Sequence, residues 1–192
     1  MHPAVFLDRD DTLIEGKSLP DEAFAKGRRG DLANPAFVRL LPGVLEACVT
    51  LRQAGFVLVG VSNQGVVARG GATIDDVEQT NARVMELLSD PEAPGAPLLE
   101  RIYYCPYHPE GSVPEYAREH DWRKPNPGMI LAAASDLGLD ISRSWMVGDM
   151  ERDAEAGRRA GIAPDRSLRI GPDAPFPDLP TAAAHILDRR LT

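Results

Sequence analysis

Five short apolar runs, separated by segments of helical spacing, constrain the fold of this chain more than any other feature. Ala4–Asp8 reads as a buried strand, "FVLVGVS" from Phe56 as a second, "RIYYC" from Arg101 as a third, "SWMVG" from Ser144 as a fourth and "SLRI" from Ser167 as a fifth. Between them, Gly43–Ala54 carries Val44, Cys48 and Leu51 at helical spacing, with Gly55 as its stop. Thr73 caps a helix reaching about Ser89, with Ile74, Val77, Val84 and Leu88 inward. Asn126 is expected to cap a helix with Pro127 in its first turn and Gly138 at its end, and "ERDAEAGRRAG" follows the fourth strand as another. Strands alternating with helices predict an α/β, Rossmann-like fold: a central parallel sheet of about five strands flanked by helices. The 192 residues are expected to form one domain, with no large cap domain, because helix and strand already fill Gly43–Ser62.

Parallel sheets with right-handed crossovers gather their strand-to-helix loops at one edge, and ligands bind there. In this chain that edge collects charge. The first strand ends in Asp8, Arg9, Asp10 and Asp11, then Thr12; the second ends in Ser62, Asn63 and Gln64; Arg123 and Lys124 precede the third-strand helix; Asp149 and Asp153 follow the fourth strand. Carboxylates so crowded need a cation, and a hard divalent ion with oxygen ligands, Mg²⁺, suits them best. Mg²⁺ with a lysine at a helix N-terminus makes a phosphate-binding arrangement. Asp153 also has a simpler reading, as an acid favoured in the first turn of a helix.

The net charge of −8 argues against nucleic acid as a partner. No apolar run approaches the roughly 18 residues of a membrane span. The start "MHPAVFLDRDD" lacks a basic region and a cleavable apolar stretch, and there are two cysteines, so a cytoplasmic protein without disulfides is expected. Cys48 belongs to the core. A monomer is expected. The irregular stretch Glu15–Pro42 is too long for a plain turn and is read as a lid or rim loop over residues 16–42.

Asp8-x-Asp10-x-Thr12, Ser62, Lys124 and Gly148-Asp149-x-x-x-Asp153, in that order, resemble the haloacid dehalogenase (HAD) superfamily of phosphatases. "FLDRDDTLIE", "SNQGVVARG", "YYCPYHPEGSV" and "RKPNPGMI" are similar to the branch that holds heptose bisphosphate and histidinol-phosphate phosphatases. The resemblance implies a Mg²⁺-dependent phosphomonoesterase working on a small phosphorylated metabolite. The substrate it favours is D-glycero-D-manno-heptose 1,7-bisphosphate, losing its 7-phosphate, with histidinol phosphate second. It implies Asp8 as nucleophile, Asp10 as acid and base, and Ser62 and Lys124 on the transferring phosphoryl group. Thr12, Asn63, Gln64 and Arg123 are implied to face substrate. Asp8, Asp10 through its backbone carbonyl, and Asp149 are implied to hold Mg²⁺, with Asp153 as a further candidate. A phospho-accepting receiver domain also clusters acids and a lysine, but needs its acceptor aspartate after the third strand, where "YYCPYH" stands. A catalytically silent binding module predicts loss of Asp8 or Asp10, and both are present.

Three departures from the resembling family stand out. Asp11 replaces a usual glycine, and its charge is expected to point away from the site. Met150 stands where a lysine often follows the fourth-strand aspartate. The structural zinc of much of that branch uses Cys-x-His and Cys-x-Cys pairs; the loop 106–123 is a degenerate version, with Cys105 just before it and His108 and His120 within it as the ligand types left. No zinc is expected, and Tyr107 and Trp122 are expected to pack the loop instead.

Overall fold

The computed structural model describes residues 1–24, 31–93 and 95–189. Five strands form one parallel sheet: β1 (Ala4–Leu7), β2 (Val57–Asn63), β3 (Leu99–Cys105), β4 (Trp145–Gly148) and β5 (Ser167–Arg169). Their spatial order is β3-β2-β1-β4-β5. The chain therefore builds outward from β1 in one direction, then returns to its other side. Val5 registers with Leu58 of β2 and with Trp145 of β4. The order reverses beside β1, which is where such sheets leave a crevice.

Side chains along β1 alternate between two cores, as strand periodicity demands. Val5 and Leu7 join a core built from Val44, Cys48 and Leu51 of helix α1 (Val44–Gln53). Val84 of α2 (Ile74–Leu87) and Leu179, Ala182 and Ile186 of α5 (Leu179–Asp188) complete it. Ala4 and Phe6 point the other way, onto Met129 and Ile130 of α3 (Gly128–Leu137) and Ala156 of α4 (Glu151–Ala160). Both faces of the sheet are thus covered around β1, which explains why β1 and β4 read as unbroken apolar runs.

Local signals fixed most helix ends. Thr73 and Asp76 form a reciprocal capping box on α2, and Gly55 and Gly138 take positive φ after α1 and α3. One reading is corrected. Asn126 does not cap α3: Pro127 occupies that place without a side-chain cap, and Asn126 Nδ2 donates to His120 O at 3.2 Å. After β5 the chain adds α5, whose cap Asp178 accepts from Thr181 N. Glu15–Pro42, expected to form a lid or rim loop, is partly anchored in the core. Its described part makes two short 3-10 turns, Asp21–Ala23 and Pro35–Phe37, and buries Leu19, Ala23, Phe24, Leu32 and Val38 in the core. Residues 25–30 of the expected lid lie outside the described residues. No helix among the described residues is long and apolar enough to cross a membrane.

Candidate active site

The site forms at the carboxyl edge, around the end of β1. Asp8 continues the sheet by donating its N–H to Val147 O at 2.9 Å, so its side chain leaves a rigid strand end. Asp8 and Lys124 are 5% and 2% exposed. The Lys124 ammonium has three protons and faces three oxygens: Asp8 Oδ1 at 2.5 Å, Val61 O at 2.7 Å and Asp153 Oδ1 at 2.8 Å. Gly148 admits the last of these, because any Cβ there would collide with the Asp153 side chain. Burial, seconded by Asp153 and Asp10, pushes Asp8 up to about 7 against the pull of Lys124. Burial alone would lower Lys124, but Asp153 and Asp8 outweigh it and hold the ammonium above its ordinary value.

Lys124 is brought there by Asn63. The Lys124 N–H donates to Asn63 Oδ1 at 2.9 Å, and Asn63 Nδ2 donates to Lys124 O at 3.0 Å. Gln64 Nε2 donates to Asp10 Oδ2 at 2.9 Å and to Ser62 Oγ at 2.7 Å. Both amides, implied by the resemblance to face substrate, hold Lys124, Asp10 and Ser62 in this structure. Ser62, fully buried, donates to Asp10 Oδ2 at 3.3 Å. The other Asp10 oxygen accepts from Arg9 Nε at 3.2 Å and Nη2 at 3.0 Å. Arg9 is itself buried, on Asn81 Oδ1 and Leu32 O. It is the anchor of Asp10. Thr12 is fully buried and its hydroxyl finds no partner. Arg123 is partly buried, its Nη1 3.4 Å from Tyr107 O.

Asp8, Asp149 and Asp153 each bring one carboxylate oxygen within 4.8 Å of the other two. Asp153 Oδ1 is buried and faces the Lys124 ammonium at 2.8 Å. Hard oxygen donors gathered this closely fit a divalent cation such as Mg²⁺. The Asp10 side chain is outside the cluster, committed to Arg9, Ser62 and Gln64. Burial raises Asp149, while Lys17, 3.2 Å away, works against it. Beside this cluster opens a cavity of about 350 Å³ lined by Thr12, Lys17, Asp149 and Gly171. A larger groove of about 880 Å³ runs along the open edge of β3 and touches none of these acids.

The loop leading to Lys124 is packed by rings. Tyr107 stacks on His120 with centroids 4.3 Å apart, and Trp122 meets Tyr103 edge-on at 6.0 Å. His120 Nδ1 accepts from Trp122 N, His108 Nδ1 accepts from Glu110 N, and Cys105 Sγ lies 3.9 Å from Tyr107 O. These three do not gather into a ligand group; the Asp8 cluster is the one such group among the described residues.

The HAD-hydrolase-like family model matches residues 121–164, which carry Lys124, Asp149 and Asp153. A D-glycero-D-manno-heptose-1,7-bisphosphate 7-phosphatase of Thermosynechococcus vestitus is 42% identical over 162 residues, 83% of this chain and 75% of that protein. The Escherichia coli K12 D-glycero-beta-D-manno-heptose-1,7-bisphosphate 7-phosphatase is 37% identical over 169 residues, covering 88% and 80%. Among solved structures, a D,D-heptose 1,7-bisphosphate phosphatase from B. bronchiseptica, complexed with magnesium and phosphate, aligns with a TM-score of 0.72 at 25% identity. That alignment spans 98% of this chain and 99% of the other. A HAD-like phosphatase from Mesorhizobium loti gives a TM-score of 0.70 at 37% identity, over 84% and 70%.

Proposed function

The chain belongs to the HAD-like phosphatases and is a phosphoric monoester hydrolase, and from that premise we propose that it removes the 7-phosphate of D-glycero-D-manno-heptose 1,7-bisphosphate. The observation that carries the chemistry is the Asp8–Lys124–Asp153 contact at the end of β1, with Asp149 beside it. The substrate rests on the likeness to the heptose bisphosphate phosphatases, which runs over most of both chains.

An aspartate needs no base to act as a nucleophile once ionised. Asp8 attacks phosphorus in line, the bond to the sugar oxygen breaks, and an aspartyl-phosphate forms. Asp10 protonates the departing sugar oxygen. It then takes a proton from the water that hydrolyses the aspartyl-phosphate, returning Asp8 and free phosphate. Arg9, Ser62 and Gln64 hold Asp10 in place for both transfers. Lys124 and Ser62 neutralise the transferring phosphoryl oxygens, and Arg123 helps to orient the rest of the ligand. Asp8, Asp149 and Asp153 would hold Mg²⁺, with the Asp10 carbonyl, and the ion would supply the positive charge that lets a carboxylate approach a phosphate.

A comparison of kcat/KM over a panel of phosphate esters tests the substrate. Heptose 1,7-bisphosphates are expected to lead it. Histidinol phosphate exceeding every heptose bisphosphate would overturn the assignment while leaving the phosphatase chemistry in place.

A further inference from the structure

Asp11 is the one non-glycine residue with positive φ, 58°, among the described residues. Left-handed backbone strains any side chain, aspartate less than most. What the strain secures is the placement of Lys17. Asp11 Oδ1 accepts the backbone N–H groups of Gly16 at 3.1 Å and Lys17 at 3.0 Å. Position 16 has to be glycine for this, since a Cβ there would come 2.8 Å from Asp11 Oδ1. The charge of Asp11 is thus turned into its own loop.

So held, Lys17 crosses to the end of β4. Its Nζ lies 3.2 Å from Asp149 Oδ2 and 3.8 Å from Asp11 Oδ2. The lysine side chain is 73% exposed and the Asp149 carboxylate only 8%. An exposed lysine in such a pair adds little to stability. Stability therefore does not account for a strained aspartate, an obligatory glycine and a lysine assembled around one carboxylate. Asp149 is, however, a member of the acidic cluster.

We propose that Lys17 is a built-in counter-cation of the metal site: its ammonium and the divalent ion are alternative partners for the Asp149 carboxylate, so Lys17 sets the ion concentration at which the site fills. Lys17 is a positioning residue, acting through Asp149, and Asp11 acts through Lys17. The inference rests on reading Asp8, Asp149 and Asp153 as the ligands of Mg²⁺.

Isothermal titration of Mg²⁺ into metal-stripped wild type, Lys17→Met and Lys17→Arg tests it. Lys17→Met is expected to tighten binding roughly five- to tenfold, the scale of one partly screened charge at contact distance. Lys17→Arg keeps the charge and stays near wild type. Without metal, Lys17→Met keeps a Tm near wild type, and a sub-saturating Mg²⁺ concentration raises it further than it raises wild type. Unchanged or weaker Mg²⁺ binding by Lys17→Met overturns the role of Lys17 and leaves the metal reading standing. Wild-type protein with neither Mg²⁺ heat nor a Mg²⁺-dependent Tm shift overturns the metal reading, and the Lys17 role with it.

Discussion

Asn63 grips Lys124 by both of its backbone polar groups, at 2.9 and 3.0 Å. The two residues are 61 positions apart, one ending β2 and the other leading into α3. Asn63→Ala removes both bonds and leaves a lysine N–H and C=O to find other partners. A misplacement of order 1 Å at a reacting group costs up to roughly 100-fold in rate. We expect kcat to fall about 10- to 100-fold, with a stability loss of about 1–3 kcal/mol. Steady-state kinetics and urea unfolding check the two together. Wild-type kcat with a lowered unfolding midpoint would reduce the clamp to a structural role.

Asp8→Asn is expected to abolish phosphate release, by at least about 10³-fold, while the protein keeps its far-UV CD spectrum. The amide is isosteric, so Lys124 retains Val61 O and Asp153 as partners. Turnover near the wild-type rate, in protein expressed free of contaminating phosphatase, would rule out Asp8 as the nucleophile.

EDTA is expected to stop turnover and Mg²⁺ to restore it, and the pH dependence of metal binding follows from Asp8. Burial raises this acid from 3.8 to about 7. A raised acid binds its proton more tightly in the folded than in the unfolded chain. Its contribution to stability therefore falls as pH rises from about 4 to about 7, and is level outside that window. A metal must displace that proton, so the gain in Tm from saturating Mg²⁺ should be larger at pH 8 than at pH 5. Equal gains at both would show that Asp8 is not a ligand.

Protein purified without chelator is expected to carry no stoichiometric zinc. Cys105, His108 and His120 are each engaged locally, and rings hold the loop that ends at Lys124. Elemental analysis decides this. Near-stoichiometric zinc that disappears in Cys105→Ser would reverse the reading.

Much of this architecture was legible because its signals are local. Apolar runs ending in polar or charged residues located β1, β2 and β4, and capping residues marked the helices. The helix α5 escaped because "GPDAPFPDLP" looks like loop; the proline after Leu179 in fact occupies a first helical turn, where its missing N–H is no loss. The candidate site residues were legible as chemical types in order along the chain. Their supports were not. Arg9 anchors Asp10 while bonding Asn81, 72 residues away, and nothing near position 9 records that distance. The bonds of Asn63 to Lys124 and of Gln64 to Asp10 were not legible either, because side-chain direction at a strand end depends on which loop arrives opposite. The sequence identified Asp11 as unusual without showing that it shapes the turn around Lys17.

The clamp on Lys124 has a consequence for redesign. Asn63 takes hold of main-chain atoms, so it is indifferent to the side chain carried at position 124. Position 124 is in effect a socket: a fixed mount, aimed at the end of the central strand, into which other side chains can be fitted while the mount stays where it is. Saturation of that single position would compare functional groups from one common starting geometry.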